Sequence, residues 1–152
     1  MIKLIRFGCL GSALLVSFAS YAANYAGDIE ITGAWTRATA PGQEAAGMDL
    51  TITSKHAATL VGVSSPSARA VELHSMTSEN GMMKMRSVEA IELPAGKRVN
   101  LREGGYHLML NGLKAPLKAG DTVPLALSVK VGRQGMVKIE TQAEIKPLTA
   151  PH

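Results

Sequence analysis

Two short segments of this 152-residue chain, 71–88 and 104–110, concentrate histidine and methionine. Together they hold two of the four histidines and five of the eight methionines: His74, Met76, Met82, Met83, Met85, His107 and Met109. Thioether sulfur is soft and polarisable, so it is a poor ligand for magnesium, calcium or zinc, and imidazole is intermediate. Such a mixed set without a thiolate favours monovalent copper, for which silver is a chemical mimic. Because thioethers are weaker donors than thiolates, they release the ion more easily, as a carrier requires.

The spacing of these residues indicates that they share one face of a β-sheet. Asn80-Gly81 is the strongest short hairpin signal, and a turn there would place His74 diagonal to Met85 on the same face. In that register three pairs face each other: Glu79 and Met82, Ser78 and Met83, and Met76 and Met85. His107 and Met109 are also two residues apart, so they share a face of another strand. The pattern predicts that two strand pairs direct two imidazoles and several thioethers toward one point.

The elements that would position these residues are short strands. Runs of alternating or β-branched residues recur between Gly, Pro, Asn and Asp, and nothing after residue 28 resembles a long amphipathic helix. The candidate strands are 29–36, 47–53, 58–64, 70–75, 82–88, 98–101, 106–110, 123–131 and 136–143. The predicted breaks include Gly104-Gly105 and Asn111-Gly112. This spacing is typical of an all-β sandwich or barrel.

The N-terminal residues have the pattern of a secretory signal. Lys3 and Arg6 precede an apolar stretch at 7–19, and Ser20-Tyr21-Ala22 supplies the small residues of a cleavage site. The stretch is too short to span a bilayer comfortably, which disfavours a membrane anchor. We therefore predict a signal peptide at 1–22, a folded domain at 23–146 and a disordered tail at 147–152. The mature protein would be periplasmic and would have no membrane span.

The single cysteine limits the chemistry of the mature chain. Cys9 falls inside the predicted signal, and Arg6 stands where a lipoprotein signal needs an aliphatic residue. The mature chain would therefore have no disulfide, thiolate nucleophile or Cys-based zinc site. A blue-copper electron carrier needs a cysteine ligand, so that class is disfavoured. No Ser/His/Asp set or carboxylate pair is recognisable by its spacing, and we predict that the protein is not an enzyme.

Composition and charge exclude nucleic-acid binding to first order. Apolar residues make up 46% and charged residues 18%, which is typical of a globular protein. The net charge of +4 includes Lys3 and Arg6; without them it is 14 − 12 = +2, too small for a nucleic-acid footprint. Aromatic residues, at 4%, are too few for a base-stacking platform.

Four of the clustered residues match a known signature. His74, ten intervening residues, Met85, twenty-one more and then His107-x-Met109 reproduce the H-x10-M-x21-H-x-M pattern of the periplasmic copper chaperones called PCu(A)C. The surrounding sequence agrees at Ala34-Trp35-x-Arg37, Met85-Arg86, Leu93-Pro94-Ala95-Gly96 and 104–110. The chain resembles this family over essentially all of residues 28–146.

The resemblance implies a cupredoxin-like Greek-key β-sandwich or barrel that binds one Cu(I) through His74, Met85, His107 and Met109. It also implies delivery of copper for the CuA centre of cytochrome c oxidase, with oxidase subunit II, an SCO-type copper protein or both as partners. Many relatives have proline where this chain has Glu103, and some carry a His/Met-rich tail that holds a second copper. The tail of this chain offers only His152, so a second site there is not expected.

Several alternatives stay open. Met76, Met82 and Met83 have three possible roles. Their sulfurs can surround the site without binding the ion, they can contact copper as it is loaded, or they can cover hydrophobic surface, and the last role is favoured. Core positions are predicted for Met48, Met136 and Trp35. Two other functions remain: a copper-buffering resistance protein without a dedicated acceptor, and a non-metal adhesion or scaffold module whose methionines only pack.

Overall fold

The computed structural model describes residues 25–133 and 135–149. In this part of the chain a short 3-10 helix, Tyr25–Asp28, is followed by ten strands: β1 (Ile29–Arg37), β2 (Ala45–Ser54), β3 (Ala58–Ser64), β4 (Ala68–Glu79), β5 (Met82–Val88), β6 (Ile91–Leu93), β7 (Arg98–Asn100), β8 (Tyr106–Leu113), β9 (Thr122–Val131) and β10 (Met136–Lys146). The predicted signal peptide with Cys9, and the last three residues of the predicted tail, lie outside the described residues. No helix in the described ranges is long and apolar enough to cross a membrane.

Seven of the strands close into a barrel. Hydrogen bonding runs in the order β4-β8-β2-β1-β10-β9-β3, and a pairing of Val63 in β3 with Val71 in β4 completes the ring. The three other strands extend the sheet, because β5 pairs with β4, β6 with β3, and β7 with β2. The first and last strands, β1 and β10, run parallel. The predicted all-β class is confirmed.

Alternation of side chains decides which face of each strand lines the core. Strand β9 shows this most clearly, since its inward side chains are all buried: Val123, Leu125, Leu127, Val129 and Val131. These pack with the inward residues of the other barrel strands into one hydrophobic cluster. The residues between them on β9 are more exposed, as expected for a strand with one face toward the core.

Buried leucines hold the two histidine-bearing strands in register. Leu73 of β4 faces Leu108 of β8 in the core, and the next pair, His74 and His107, lies on the opposite face. A slip of β8 by one residue would turn Leu108 outward and His107 inward, and a slip of β4 would do the same to Leu73 and His74. Because burying a leucine stabilises by roughly 1.5–3 kcal/mol, the core specifies which side chains reach the outer surface.

The strands differ from the sequence prediction at two places. The expected break at Asn111-Gly112 is wrong, because Asn111 continues β8 and pairs with Ala45 on one side and Ala70 on the other. Gly112 follows with a φ of 65°, a conformation that glycine adopts without strain. The short strand Ile91–Leu93 was not predicted; its two buried ends pack in the core while it pairs with β3.

Candidate metal centre

The four predicted donors lie on the outer face of β5, β4 and β8. His74 faces His107 across the β4–β8 pair, and Met109 follows two residues further along β8. Across the β4–β5 pair His74 faces Ser87, which makes Met85 its diagonal neighbour. Residues that face each other across a strand pair lie on the same face of the sheet, and so do residues two apart along a strand. All four side chains are therefore on one face.

A tight turn sets the register that brings Met85 to this face. Asn80 and Gly81 have φ values of 53° and 76°, the paired positive angles of a type I′ hairpin. The strands that leave the turn pair as predicted, with Met76 opposite Met85 and Ser78 opposite Met83.

The imidazole of His74 contacts both a sulfur and a carboxylate. Its Nδ1 lies 3.0 Å from Met85 Sδ, and its Nε2 lies 2.8 Å from Glu72 Oε2. In the tautomer with its proton on Nε2, the ring donates to the Glu72 carboxylate, which can only accept, and the Nδ1 lone pair faces the sulfur. A nitrogen donor and a sulfur donor therefore approach one point before any ion is added.

The imidazole of His107 lies beside a partly buried carboxylate. Its Nδ1 is 3.4 Å from Asp49 Oδ1 on β2, a distance compatible with an ion pair. That oxygen is buried and accepts no hydrogen bond from the residues that the structure describes. Burying a polar atom without a partner costs free energy, and a small rotation of either side chain would let Nδ1–H donate to it. His107 would then present Nε2 to an ion.

The donors are accessible from solvent. The side chains of His74 and His107 are 15% and 25% exposed, and Met85 is 48% exposed. An ion held here would sit on the outer wall of the barrel, where a second protein can reach it.

The other methionines of the hairpin differ in the face they occupy. Met76 and Met83 share the face of Met85, whereas Met82 lies on the reverse face, directly opposite Glu79. Met82 and Met83 are 64% and 63% exposed, so neither covers a buried core.

Two of the three methionines outside these segments, Met48 and Met136, differ in burial. Met48 is 1% exposed and is confirmed as a core residue. The prediction of a core position for Met136 is wrong, because this residue is 63% exposed. It begins β10 opposite the exposed Lys130 and belongs to the outward-facing residues of that strand.

A cleft beside His107 was not predicted from the sequence. Its lining includes Trp35, Arg37, Gln43, Asp49, Arg102 and Leu148. Trp35 is half-buried under Lys146, whose Nζ lies 4.5 Å from the ring centroid, so it is not the predicted core anchor. Within the described ranges, two buried nitrogens of Arg37, Nε and Nη2, have no hydrogen-bond partner. The sequence analysis noted the motif Trp35-x-Arg37 but did not predict the cleft. The register shift between Thr32 and Trp35, which orients these side chains, has no simple sequence signal.

Glu103 lies in the turn at 101–105 that precedes β8. It is exposed and lines a second part of the surface together with Trp35 and Asp49. Its backbone N–H donates to Asn100 Oδ1 at 3.2 Å, a bond that the proline of many relatives could not make.

The chemistry of this face is that of soft donors. The described part of the chain contains no group of three or more His, Cys, Asp or Glu side chains arranged to hold a metal. What the outer face does offer is two imidazoles flanked by thioethers, a set that suits a soft monovalent ion.

Solved structures with the same fold include PCuAC domains. The copper-bound PCuAC domain from PmoF2 aligns with 80% of this chain and 94% of its own, at a TM-score of 0.60 and 25% identity. The Cu(I) form of DR1885 from Deinococcus radiodurans aligns with 84% of this chain and 87% of its own, at a TM-score of 0.60 and 31% identity. The apo PCuAC domain from PmoF1, at 22% identity and a TM-score of 0.61, covers 80% of this chain and 95% of its own and shows the fold alone. The barrel is thus of the cupredoxin-like PCuAC type, as predicted.

Sequence comparison assigns the family. The family described as "Putative lipoprotein LpqE-like" matches residues 29–141. A putative lipoprotein of Leifsonia xyli subsp. xyli is 33% identical over 137 residues, which are 89% of this chain and 82% of that relative. The chain belongs to the LpqE-like family, and its predicted relationship to the PCu(A)C proteins is confirmed.

Proposed function

We propose that this protein is an exported copper chaperone that binds one Cu(I) through His74, Met85, His107 and Met109. The observation that carries the proposal is the 3.0 Å approach of His74 Nδ1 to Met85 Sδ, next to the facing His107. Four neutral donors of this softness favour a monovalent ion over a harder divalent one. The PmoF2 domain is described as copper-bound and DR1885 as Cu(I)-bound, which supports copper as the ion that this protein carries.

The proposed acceptor is the CuA centre of cytochrome c oxidase, reached on subunit II directly or together with an SCO-type protein. The relationship to the PCu(A)C chaperones supports this choice. Met85 is half-exposed, which supports transfer of the ion to an acceptor. A ligand of the acceptor can replace the Met85 thioether before the two imidazoles dissociate from the copper. Each exchange replaces one ligand by another and leaves copper monovalent.

The proposed location is the periplasm, with a mature N-terminus near Ala23. The family and the Leifsonia relative are both described as putative lipoproteins, which supports export. The signal pattern at 1–22 predicts cleavage after Ala22 and loss of Cys9. Mass spectrometry of the periplasmic protein checks this, and a diacylated Cys9 at the N-terminus would contradict it.

Titration with Cu(I) against a chromophoric chelator tests the site. We expect one equivalent to bind and X-ray absorption to show a shell of two sulfurs and two nitrogens. Met109→Leu keeps most of the volume at a cost below about 1.5 kcal/mol, but it removes a donor, so affinity falls sharply. Met136→Leu, at an exposed position of β10, is the control and leaves affinity unchanged. An all-nitrogen or all-oxygen shell, or equal losses in both variants, would contradict the assignment.

Transfer to an apo oxidase subunit II domain separates the proposal from its two alternatives. A chaperone passes Cu(I) to this domain faster than a small chelator of equal affinity does. A buffering protein binds Cu(I) but gives no acceleration. An adhesion or scaffold module binds neither Cu(I) nor Ag(I).

A further inference from the structure

The β4–β5 hairpin extends beyond the rest of the site. Pairing of β4 with β8 ends at Ser75 and Tyr106, while pairing of β4 with β5 continues to Glu79 and Met82. The base of the extension is fixed, because the backbone N–H of Met76 donates to the carbonyl of Gly105 at 2.6 Å. The tip therefore projects outward from the two histidines.

Three thioethers lie along one face of this extension. Met76 is directly opposite Met85, and Met83 is two residues from Met85 on the same strand and face. Directly opposite side chains have Cβ atoms about 4.5–5.5 Å apart, and diagonal ones about 7–8 Å. Methionine has three rotatable bonds, so three sulfurs at these spacings can converge on one ion.

The reverse face of the hairpin is built differently. Glu79 accepts from Lys84 at 2.7 Å and from Arg86 at 3.0 Å, which forms a charged network on that side. Met82 faces Glu79 there. Met82 and Met83 are adjacent and equally exposed, so they differ mainly in the face they occupy.

We propose that Met76, Met83 and Met85 form a second, all-thioether site for a soft monovalent ion, through which Cu(I) enters and leaves the four-residue site. The proposal rests on the proposed function for the identity of the ion. Because Met85 belongs to both sites, they are not filled together and the protein carries one ion. The ion moves inward when His74, whose Nδ1 is 3.0 Å from Met85 Sδ, replaces the outer thioethers. Copper stays monovalent throughout, so the step needs no oxidant or reductant.

Methyl-labelled methionine NMR with Ag(I) tests the outer site directly. In a His74→Gln/His107→Gln variant the imidazoles are gone and the thioethers remain. We expect Ag(I) to shift the methyl signals of Met76, Met83 and Met85 and to leave that of Met82 unmoved. A Met85 signal that shifts while Met83 does not would overturn the proposal. If that double variant does not fold, the stopped-flow comparison of Met83→Leu with Met82→Leu decides the proposal, because both of those variants keep the two histidines.

Stopped-flow transfer of Cu(I) from a weak chelator tests the route. Met83→Leu removes one of three outer donors, so we expect capture and release to slow on the order of tenfold while equilibrium affinity stays within about threefold. Met82→Leu, the matched control, changes the rates by less than about twofold because volume is conserved and no donor is lost from the face. Equal rates in the two variants would overturn the route and leave the proposed function intact. A wild-type protein that binds no Cu(I) would overturn both.

Discussion

Two carboxylates flank the two imidazoles of the site, and they do so at different ring nitrogens. Glu72 contacts Nε2 of His74, and Asp49 lies next to Nδ1 of His107. A carboxylate that accepts from one nitrogen fixes the tautomer and raises the basicity of the other. His74 is therefore expected to bind through Nδ1 and His107 through Nε2.

Replacing Glu72 tests this orientation of His74. Glu72→Gln keeps an acceptor but loses the charge, and Glu72→Ala loses both, so Cu(I) affinity should fall in that order, by up to about 10–100-fold. Ring 15N shifts in the apo protein should show His74 protonated on Nε2 in the wild type and a mixture of tautomers in Glu72→Ala. Glu92→Gln, an exposed change on β6, is the control. A His74 ring protonated on Nδ1 in the wild type would refute the assignment.

Asp49 should show opposite effects on stability and on binding. Its Oδ1 is buried and accepts no hydrogen bond among the described residues, so Asp49→Asn removes a charge that only the imidazole of His107, 3.4 Å away, offsets. We expect a Tm that does not fall, together with a loss of Cu(I) affinity of about tenfold, because an amide orients His107 less strongly. Asp121→Asn in an exposed turn is the comparison. A lower Tm with unchanged affinity would mean that Asp49 serves the fold and not the site.

At the scale of elements, the hairpin turn links the local sequence to the position of Met85. Gly81 and Gly42 have φ values of 76° and 81°, and a Cβ at either would meet no atom within 4 Å. Gly81→Ala and Gly42→Ala should therefore cost about the same, roughly 1–2 kcal/mol of left-handed strain. Only Gly81→Ala should also weaken Cu(I) binding, since it loosens the strand that carries Met85. Titration and thermal melts compare the two, and equal affinities would show that the turn does not position the donor.

The elements that sequence predicted well are those whose signals are local. The Asn80-Gly81 turn specifies the register of β4 and β5 by its own backbone preference, and alternation along β9 marks its inward face without reference to any other strand. The same reasoning fails at Asn111-Gly112, because pairing with strands on both sides overrides the turn signal.

The site was predicted in part for the same reason. Spacing along two segments placed the histidines and methionines on one face. Asp49 was missed, and Trp35 and Arg37 were noted only as part of the resemblance, because these residues come from β1 and β2 and join His107 only through the order of strands in the barrel. The exposure of Met136, in contrast, follows the alternation of its own strand, where it shares the outward face with Lys138 and Glu140, a local signal that the prediction of a core position overlooked.

At the scale of the molecule, the barrel and the hairpin should differ in stability. Strand β9 is paired along both edges, with β10 and with β3. Among the residues that the structure describes, strand β5 pairs only with β4, and six of its seven residues are exposed. The free energy of opening measured by hydrogen exchange should therefore be at least about 2 kcal/mol lower for β5 than for β9.

Loading with copper should narrow that difference. An ion shared by Met85, His74 and His107 ties β5 to β4 and β8, and binding stabilises the closed form by RT ln(1 + [L]/Kd). Exchange mass spectrometry should show slower exchange in β5 of the loaded protein and little change in β9. Protection that rises equally in both strands would indicate that the ion does not bridge the hairpin to the barrel.

The alternation along β8 makes the metal chemistry of this protein separable from its architecture. Leu108 and Leu110 maintain the core, while His107 and Met109, the residues interleaved with them, face outward. Evolution or a protein engineer can therefore exchange the outward side chains without repacking the interior. Met109→His, for example, would harden the donor set toward Cu(II) or zinc on an unchanged scaffold. Two of the four proposed donors can thus be changed on β8 alone, while His74 and Met85 stay in place on β4 and β5.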